Sequence, residues 1–353
     1  MTHRENRLRA FRFQSPEWIP VSSGFPAPCW QFYGPDPLEE ILLSHNILFP
    51  GYERGSIYPE NLPIPPHTIK GTPYTDPWGS VWQTQFDGMV GAVKHHALKN
   101  WSAFDGFTAP DPEVTDGMLP IDWKVIEQRG ELSRKHDVFF AVALTHGHTF
   151  LRLSDLRGYE NLIYDMVDEE PRLLQLVKII EEFNMTLIER FLTFDPDMVL
   201  IPEDLGTQNS PLLSPEMFRK YIKPSYLRLT APVKEKGILV HEHSDGYILD
   251  IIDDLVDVGG DIINLQDLVN GIDNIEKHVK RRLAIDLDID RQNITVHGSP
   301  SDVEAHIREA VMKLGSENGG LAMCYQPWPP TPIENIRAVF DALEKFCTFY
   351  GEA

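Results

Sequence analysis

Short, unbroken apolar runs recur along the chain: Ile19-Pro20-Val21, Val138 to Leu144, Met198 to Ile201, Ile238 to Val240, Ile262 to Leu265, Leu283 to Ile289 and Leu321 to Met323. Runs this short, without polar alternation, are the pattern of strands buried on both faces of a parallel sheet. Between them the apolar positions switch to helical spacing. Ile248, Ile251, Ile252, Leu255 and Val256 form one stripe that stops at Gly259-Gly260. Val303, Ile307, Ala310, Val311 and Leu314 form another, opened by Ser301 with Glu304 as a capping box and closed by Gly315. Thr331 with Glu334 reads as a second box, with Pro332 at the first helical position. Ser214-Pro215 opens a helix through Met217, Phe218, Tyr221 and Ile222 that Pro224 kinks or ends.

Strand and helix alternate from Asp137 onward, which predicts an α/β protein with a parallel sheet. Ile294-Thr295-Val296 is an eighth strand candidate beside the seven runs. Eight strands would close a (β/α)8 barrel of TIM type, a single domain over residues 1–353. The stretch 45–130, rich in Pro, Gly, Trp and Tyr, would then be a loop and hairpin insertion after the first strand. An open doubly wound sheet is the alternative. No G-x-G-x-x-G or G-x-x-x-x-G-K-[ST] motif supports a nucleotide site in one.

Composition narrows the function. With 42% hydrophobic and 24% charged residues the chain is no disordered segment. Lys plus Arg number 32 against 53 Asp plus Glu, a net charge of −21, which repels nucleic acid. No window approaches the run of about 18 apolar residues that a membrane helix needs. Met1 to Ala10 is polar and lacks the apolar segment of a secretory signal. Cys29, Cys324 and Cys347 are too few and too separated for a disulfide framework, so a cytoplasmic location is expected.

Active residues of such a barrel sit at the C-terminal ends of its strands. Those ends carry Thr145-His146-Gly147-His148, Glu203-Asp204, His241-Glu242-His243-Ser244-Asp245, Gln266-Asp267, Asp286 with Asp288 and Asp290, and Cys324. In an extended strand His241, His243 and Asp245 would share a face. Imidazole, carboxylate and thiolate are zinc's usual donors, and three of them suffice for a catalytic site with an open position. Each residue also has an ordinary reading: a satisfied histidine pair, a buried inert cysteine, Asp290 as a helix cap. Trp78 and Trp82 would either pack a hairpin or wall the barrel mouth, as would Trp30.

The ordered motifs resemble the uroporphyrinogen decarboxylase superfamily. They are Glu203-Asp204-Leu205-Gly206-Thr207-Gln208, Leu213-Ser214-Pro215-Glu216-Met217-Phe218-Arg219, Lys223-Pro224, His243-Ser244-Asp245-Gly246 with Gly259, Gly319-Gly320, and Pro332-Ile333-Glu334-Asn335-Ile336. Asp76-Pro77-Trp78-Gly79 and Leu156-Arg157-Gly158-Tyr159-Glu160 look like the branch of corrinoid-dependent methyltransferases, O-demethylase components included. The resemblance implies a (β/α)8 barrel, commonly dimeric. The founding decarboxylase works without a cofactor and grips a tetrapyrrole's acid groups through an N-terminal arginine-rich motif. Here Ser22 to Trp30 carries no arginine, and Arg4, Arg7, Arg9 and Arg12 precede the strand. Tetrapyrrole decarboxylation is therefore disfavoured.

The methyltransferase branch holds zinc through a His-x-Cys pair and a later Cys. His243 matches the histidine, Asp245 replaces the first cysteine and Cys324 falls near the second. Carboxylate for thiolate makes a harder site, suited to an oxygen donor rather than a thiol. The expectation is a zinc-dependent methyltransferase that moves a methyl group from a small O- or N-methyl donor to a corrinoid protein. Glu203, His241, His243, Asp245 and Cys324 are the candidate ligands. His146, His148 and Asp288 are the candidate proton donors, and Trp30, Trp78, Trp82, Gln266 and Tyr325 the candidate substrate contacts. The alternative is a metal-free decarboxylase or lyase acting on a small acidic substrate. A binding barrel without catalysis is the non-enzyme reading.

Overall fold

The structure, a computed structural model, describes residues 1–57, 62 and 64–351. Residues 58–61 and 63, within the expected 45–130 insertion, and 352–353 lie outside that description. Its strands are β1 (Val21–Ser23), β2 (Tyr74–Thr75), β3 (Val81–Gln83), β4 (Ala92–His95), β5 (Ala141–Ala143), β6 (Met198–Pro202), β7 (Leu239–Ser244), β8 (Ile262–Gln266), β9 (Ala284–Asp288) and β10 (Leu321–Tyr325). The chain gathers into two compact units, one of Met1–Pro65 with Leu265–Ala353, the other of Pro66–Asn264.

In the first unit β10 pairs in parallel with β1 and with β9, so that Cys324 stands opposite both Ser22 and Asp288. Helices Pro300–Leu314 and Ile333–Cys347 bury their apolar stripes, Val303, Ile307, Ala310 and Val311 on one and Ile336, Val339, Phe340 and Leu343 on the other. In the second unit β6 pairs in parallel with β5 and β7. Helices Phe150–Arg157, Tyr159–Val167, Pro171–Phe191 and Lys223–Glu235 supply the crossovers that parallel pairing requires. A separate antiparallel sheet, β2-β3-β4, fills part of the Trp-rich stretch. The chain passes from the second unit to the first within β8.

The α/β class and the parallel pairing agree with the apolar runs. The eighth candidate strand does not form. Ile294–His297 is a short helix, because Asp290 accepts hydrogen bonds from the Asn293 and Ile294 amides at 2.7 and 2.6 Å and turns the backbone there. Asp290 is thus the helix cap of the two readings offered for it. The capping residues also shift. Ser299 rather than Ser301 opens Pro300–Leu314, in a reciprocal box with Asp302, because Pro300 fits the first helical position. Thr331 caps nothing: its hydroxyl donates to the Trp328 carbonyl, and Ile333–Cys347 begins after Pro332. Ser214 caps as expected, accepting from the Met217 amide. The helical segment opened by Ser214 stops at Ile222, just before Pro224 as expected, and a new helix starts at Lys223. A π-helical turn, Phe218–Ile222, precedes it and leaves the proline in the first turn of Lys223–Glu235, where its missing N–H is not needed. Among the described residues no helix is long and apolar enough to cross a membrane.

Candidate metal centre

The site is built where β5, β6 and β7 end. Parallel register sets Leu200 beside both Ala143 and His241, and Pro202 beside His243. The ladder continues past the strands: Gly147 N–H donates to the Pro202 carbonyl, Glu203 N–H to His243, and Gly206 N–H to Asp245. Three loops therefore leave the sheet side by side, carrying His146, Asp204 and His243. Two glycines make this possible. A Cβ on Gly206 would sit 2.5 Å from the Gly246 carbonyl carbon, and one on Gly246 would sit 2.3 Å from that of Gly206. Gly246 also has φ +81°, a left-handed conformation that other residues rarely adopt.

His146, Asp204 and His243 offer ligand atoms all within 4.8 Å of one another. Asp204 Oδ1 is the hub. It lies 3.2 Å from His146 Nε2 and 3.5 Å from His243 Nε2, and it accepts the Asp245 amide at 3.1 Å. Burial works against a charge on Asp204, but its hydrogen bonds to His146 and His243 prevail and hold its carboxyl well below the ordinary range. For His243 burial opposes protonation, while Asp204, the Asp245 charge and Asn264 outweigh it and raise the pKa. On its other side His243 Nδ1 donates to the side-chain oxygen of Asn264. His146 is half exposed, so the cluster opens to solvent on that side.

The other sequence candidates of this unit fall around the cluster. Asp245 flanks it, with Oδ1 3.9 Å from His243 Nε2. His241 shares a strand face with His243 but lies one rung deeper and buried. Glu203 has a different task. Its carboxylate accepts from the amides of Thr149, Phe150 and Leu151 and from the Tyr226 hydroxyl, and so fills the N-terminus of helix Phe150–Arg157. Burial raises the Glu203 pKa against the opposing pull of those donors. His148 is buried on Tyr226 with Nδ1 2.7 Å from the Thr149 hydroxyl. Burial, helped by the charge of His146, lowers its pKa to about 3, so it stays neutral.

Trp78 and Trp82, in and just after the Asp76-Pro77-Trp78-Gly79 motif, are both buried. Trp82 Nε1 donates to Asp76, which also accepts from the Ser80 amide and the Arg152 guanidinium. Trp78 is buried against Phe183 and Phe107. Arg157 in Leu156-Arg157-Gly158 pairs with Asp165 and donates to the carbonyls of Leu98 and Lys99. These motifs hold the antiparallel sheet region and a helix end in place.

In the first unit, Cys324 Sγ donates weakly to Asp288 Oδ1 at 3.8 Å, and Arg291 donates to the other Asp288 oxygen at 2.5 Å. Trp30 and Tyr325 are buried core residues, with Trp30 Nε1 on the Phe25 carbonyl. Gln266 lines a small cavity of about 20 Å³ with Asp267, Asp288, Asp290 and Arg291.

Of the sequence candidates, His243 belongs to the cluster as an expected ligand, and His146, expected as a proton donor, stands beside it in the same cluster. Asp204 takes the place expected of its neighbour Glu203, and Asn264 is not among the candidates. Strand alternation held the signal for the first, since adjacent residues face opposite ways. A lone asparagine in an apolar run, Ile262-Ile263-Asn264-Leu265, was the signal for the second.

No curated protein matches the sequence. Among solved structures, a methyltransferase from Methanosarcina mazei superposes with TM-score 0.66 at 16% identity, over 98% of this chain and 99% of that one. At that identity the likeness speaks for the fold. A B12-independent methionine synthase from Shewanella sp. W3-18-1 aligns over 64% of this chain and 66% of its own, at 13% identity and TM-score 0.42. The sequence profile of uroporphyrinogen decarboxylase (URO-D) matches residues 149–346, more than half of the chain and including the Asp204 and His243 loops. The chain belongs to the uroporphyrinogen decarboxylase family.

Proposed function

We propose that the protein is a metal-dependent methyltransferase on a TIM-type barrel, its zinc held by His146, Asp204 and His243. The observation that carries this reading is the convergence of two imidazoles and one carboxylate within 4.8 Å at the end of three adjacent parallel strands. The donor set fits a divalent ion of borderline hardness, and three ligands leave a position for substrate. Asp245 stands ready as a further oxygen donor or proton carrier beside His243.

Zinc in this site would supply Lewis acidity toward the heteroatom of an O- or N-methyl compound. Asp204 orients both imidazoles through one oxygen, and Glu203 fixes the loop that bears His146 by filling the adjoining helix N-terminus. The half-exposed His146 edge is where the donor enters. A reduced Co(I) corrinoid on a separate protein would supply the electron pair that accepts the methyl carbon, the methyl–heteroatom pair staying on the heteroatom, while Asp245 stands beside the site as a proton carrier. The three separated thiols favour a cytoplasmic protein, and the family's habit favours a homodimer.

A metal-free lyase acting on a small acidic substrate is the second reading. Asp204 already has imidazole partners and needs no ion to balance its charge. Cobalt substitution separates the two. The full chain titrated with Co²⁺ is expected to take up one equivalent with visible ligand-field bands and no intense near-ultraviolet thiolate band, and Asp204→Ala is expected to abolish uptake. A wild-type chain that binds no Co²⁺ or Zn²⁺ leaves the lyase. A thiolate band returns a cysteine to the ligand set.

A further inference from the structure

Asn264 sits in β8 between Ile263 and Leu265 and is itself buried. A buried amide amid apolar neighbours costs stability unless its polar atoms are engaged, so its position in a core strand calls for a partner. That partner is His243: the Asn264 side-chain oxygen contacts Nδ1 of the ring. A carbonyl oxygen has no proton to give. The ring nitrogen must be the donor, so the proton of neutral His243 is on Nδ1 and the lone pair is on Nε2. Nε2 in turn faces Asp204 Oδ1 at 3.5 Å and Asp245 Oδ1 at 3.9 Å. A lone pair on Nε2 faces two carboxylate oxygens favourably only when a cation lies between them: a proton, which makes the hydrogen bond to Asp204 in the metal-free site, or a metal ion that takes its place.

We infer that Asn264 is a positioning residue that fixes the Nδ1–H tautomer and the ring plane of His243, presenting Nε2 as a metal ligand. The inference rests on reading His146, Asp204 and His243 as the metal centre. Metal-ligating histidines commonly donate their second ring N–H to an oxygen, and losing that oxygen typically costs 10–100-fold in metal affinity. A neutral amide does this without adding negative charge to a site that already holds Asp204 and Asp245.

The test compares the wild type with Asn264→Leu, which fills the same space without an acceptor, and Asn264→Asp, which keeps one. Asn264→Ala, which only removes atoms, stands in if leucine is not accommodated. Two quantities are read on the full chain: ring ¹⁵N shifts of labelled histidine in metal-free protein, with His243→Gln identifying the resonances, and Zn²⁺ affinity by chelator competition. The wild type is expected to show His243 protonated on Nδ1. Asn264→Leu is expected to move the proton toward Nε2 and weaken zinc about 10–100-fold. Asn264→Asp should restore the tautomer. An Asn264→Leu protein with the wild-type tautomer, or with zinc affinity within about twofold of the wild type, overturns the inference. If the wild type binds no zinc, the metal reading falls instead, and the tautomer of metal-free Asn264→Leu still decides whether Asn264 sets the ring.

Discussion

Glu203 and Asp204, consecutive in the chain, commit their carboxylates to different partners: Glu203 to three backbone amides and the Tyr226 hydroxyl, Asp204 to the imidazoles of His146 and His243. One side chain builds the loop and the other uses it. Substituting each should therefore fail in a different way. Glu203→Ala leaves buried amide donors unpaired at a helix N-terminus and is expected to cost about 2–4 kcal/mol of stability in the metal-free protein. Asp204→Asn keeps the side chain's shape and an acceptor for the Asp245 amide, and is expected to cost less stability than Glu203→Ala while abolishing or strongly weakening zinc binding. Denaturant midpoints and zinc competition, measured on both variants, check the division. Equal destabilisation of the two would remove it.

The Asp76-Pro77-Trp78-Gly79 motif makes a prediction of the opposite kind. Asp76 and Arg152 form a buried ion pair at 3.1 Å, and Asp76 also holds Trp82 and the Ser80 amide. Asp76→Ala strands the Arg152 charge and is expected to cost about 3–5 kcal/mol. Thermal unfolding of Asp76→Ala beside Asp76→Ala/Arg152→Met measures it. The double variant, which removes the unpaired charge, should recover part of the loss. If the double variant is no more stable than the single, the stranded charge was not the cause.

The apolar runs gave the parallel strands, since a strand buried on both faces has no polar alternation to hide it. His243 stood out because it repeats beside His241 with the spacing of a strand face. Asp204 was obscured by Glu203. Both are carboxylates at the same strand end, and alternation from Pro202, which pairs with His243, points to Asp204 only once that register is known. Ile294-Thr295-Val296 reads as a strand by its β-branched residues, whereas the local hydrogen bonds from the Asn293 and Ile294 amides to Asp290 start a helix there. The tryptophans looked like a substrate wall because an aromatic side chain serves packing and binding alike until its burial is known.

Asp155 supplies a pH dependence. Burial, with the neighbouring charges of Asp76 and Glu203, raises its pKa from 3.8 to about 7, against the opposing pull of Arg152 and His146. A carboxyl whose pKa is higher folded than unfolded contributes stability in its protonated form. That contribution is whole below the unfolded value and is lost as pH rises through about 7. Wild-type stability is expected to decline from this group between about pH 4 and pH 7 and to level off above. Asp155→Asn, which cannot ionise, should flatten the decline and be the more stable protein at pH 8. Urea unfolding of both across that range tests it. Parallel curves would show that Asp155 does not titrate there.

The meeting of Gly206 and Gly246 sets how close the metal-site loops can come. A methyl group on either would lie within 2.5 Å of the other's backbone, which no side-chain adjustment relieves. The two alanine variants differ in one respect: Gly246 also has φ +81°, so alanine there meets both the clash and a disfavoured backbone conformation. Both substitutions are expected to push the Asp204 and Asp245 loops apart, weakening zinc at least about tenfold, the loss expected when a ligand's supporting groups are removed. Gly246→Ala should lose the more stability. Zinc competition and thermal unfolding of the single variants provide the readout. Either alanine variant that binds zinc as the wild type does would mean that the cluster tolerates a wider separation than its 4.8 Å span implies.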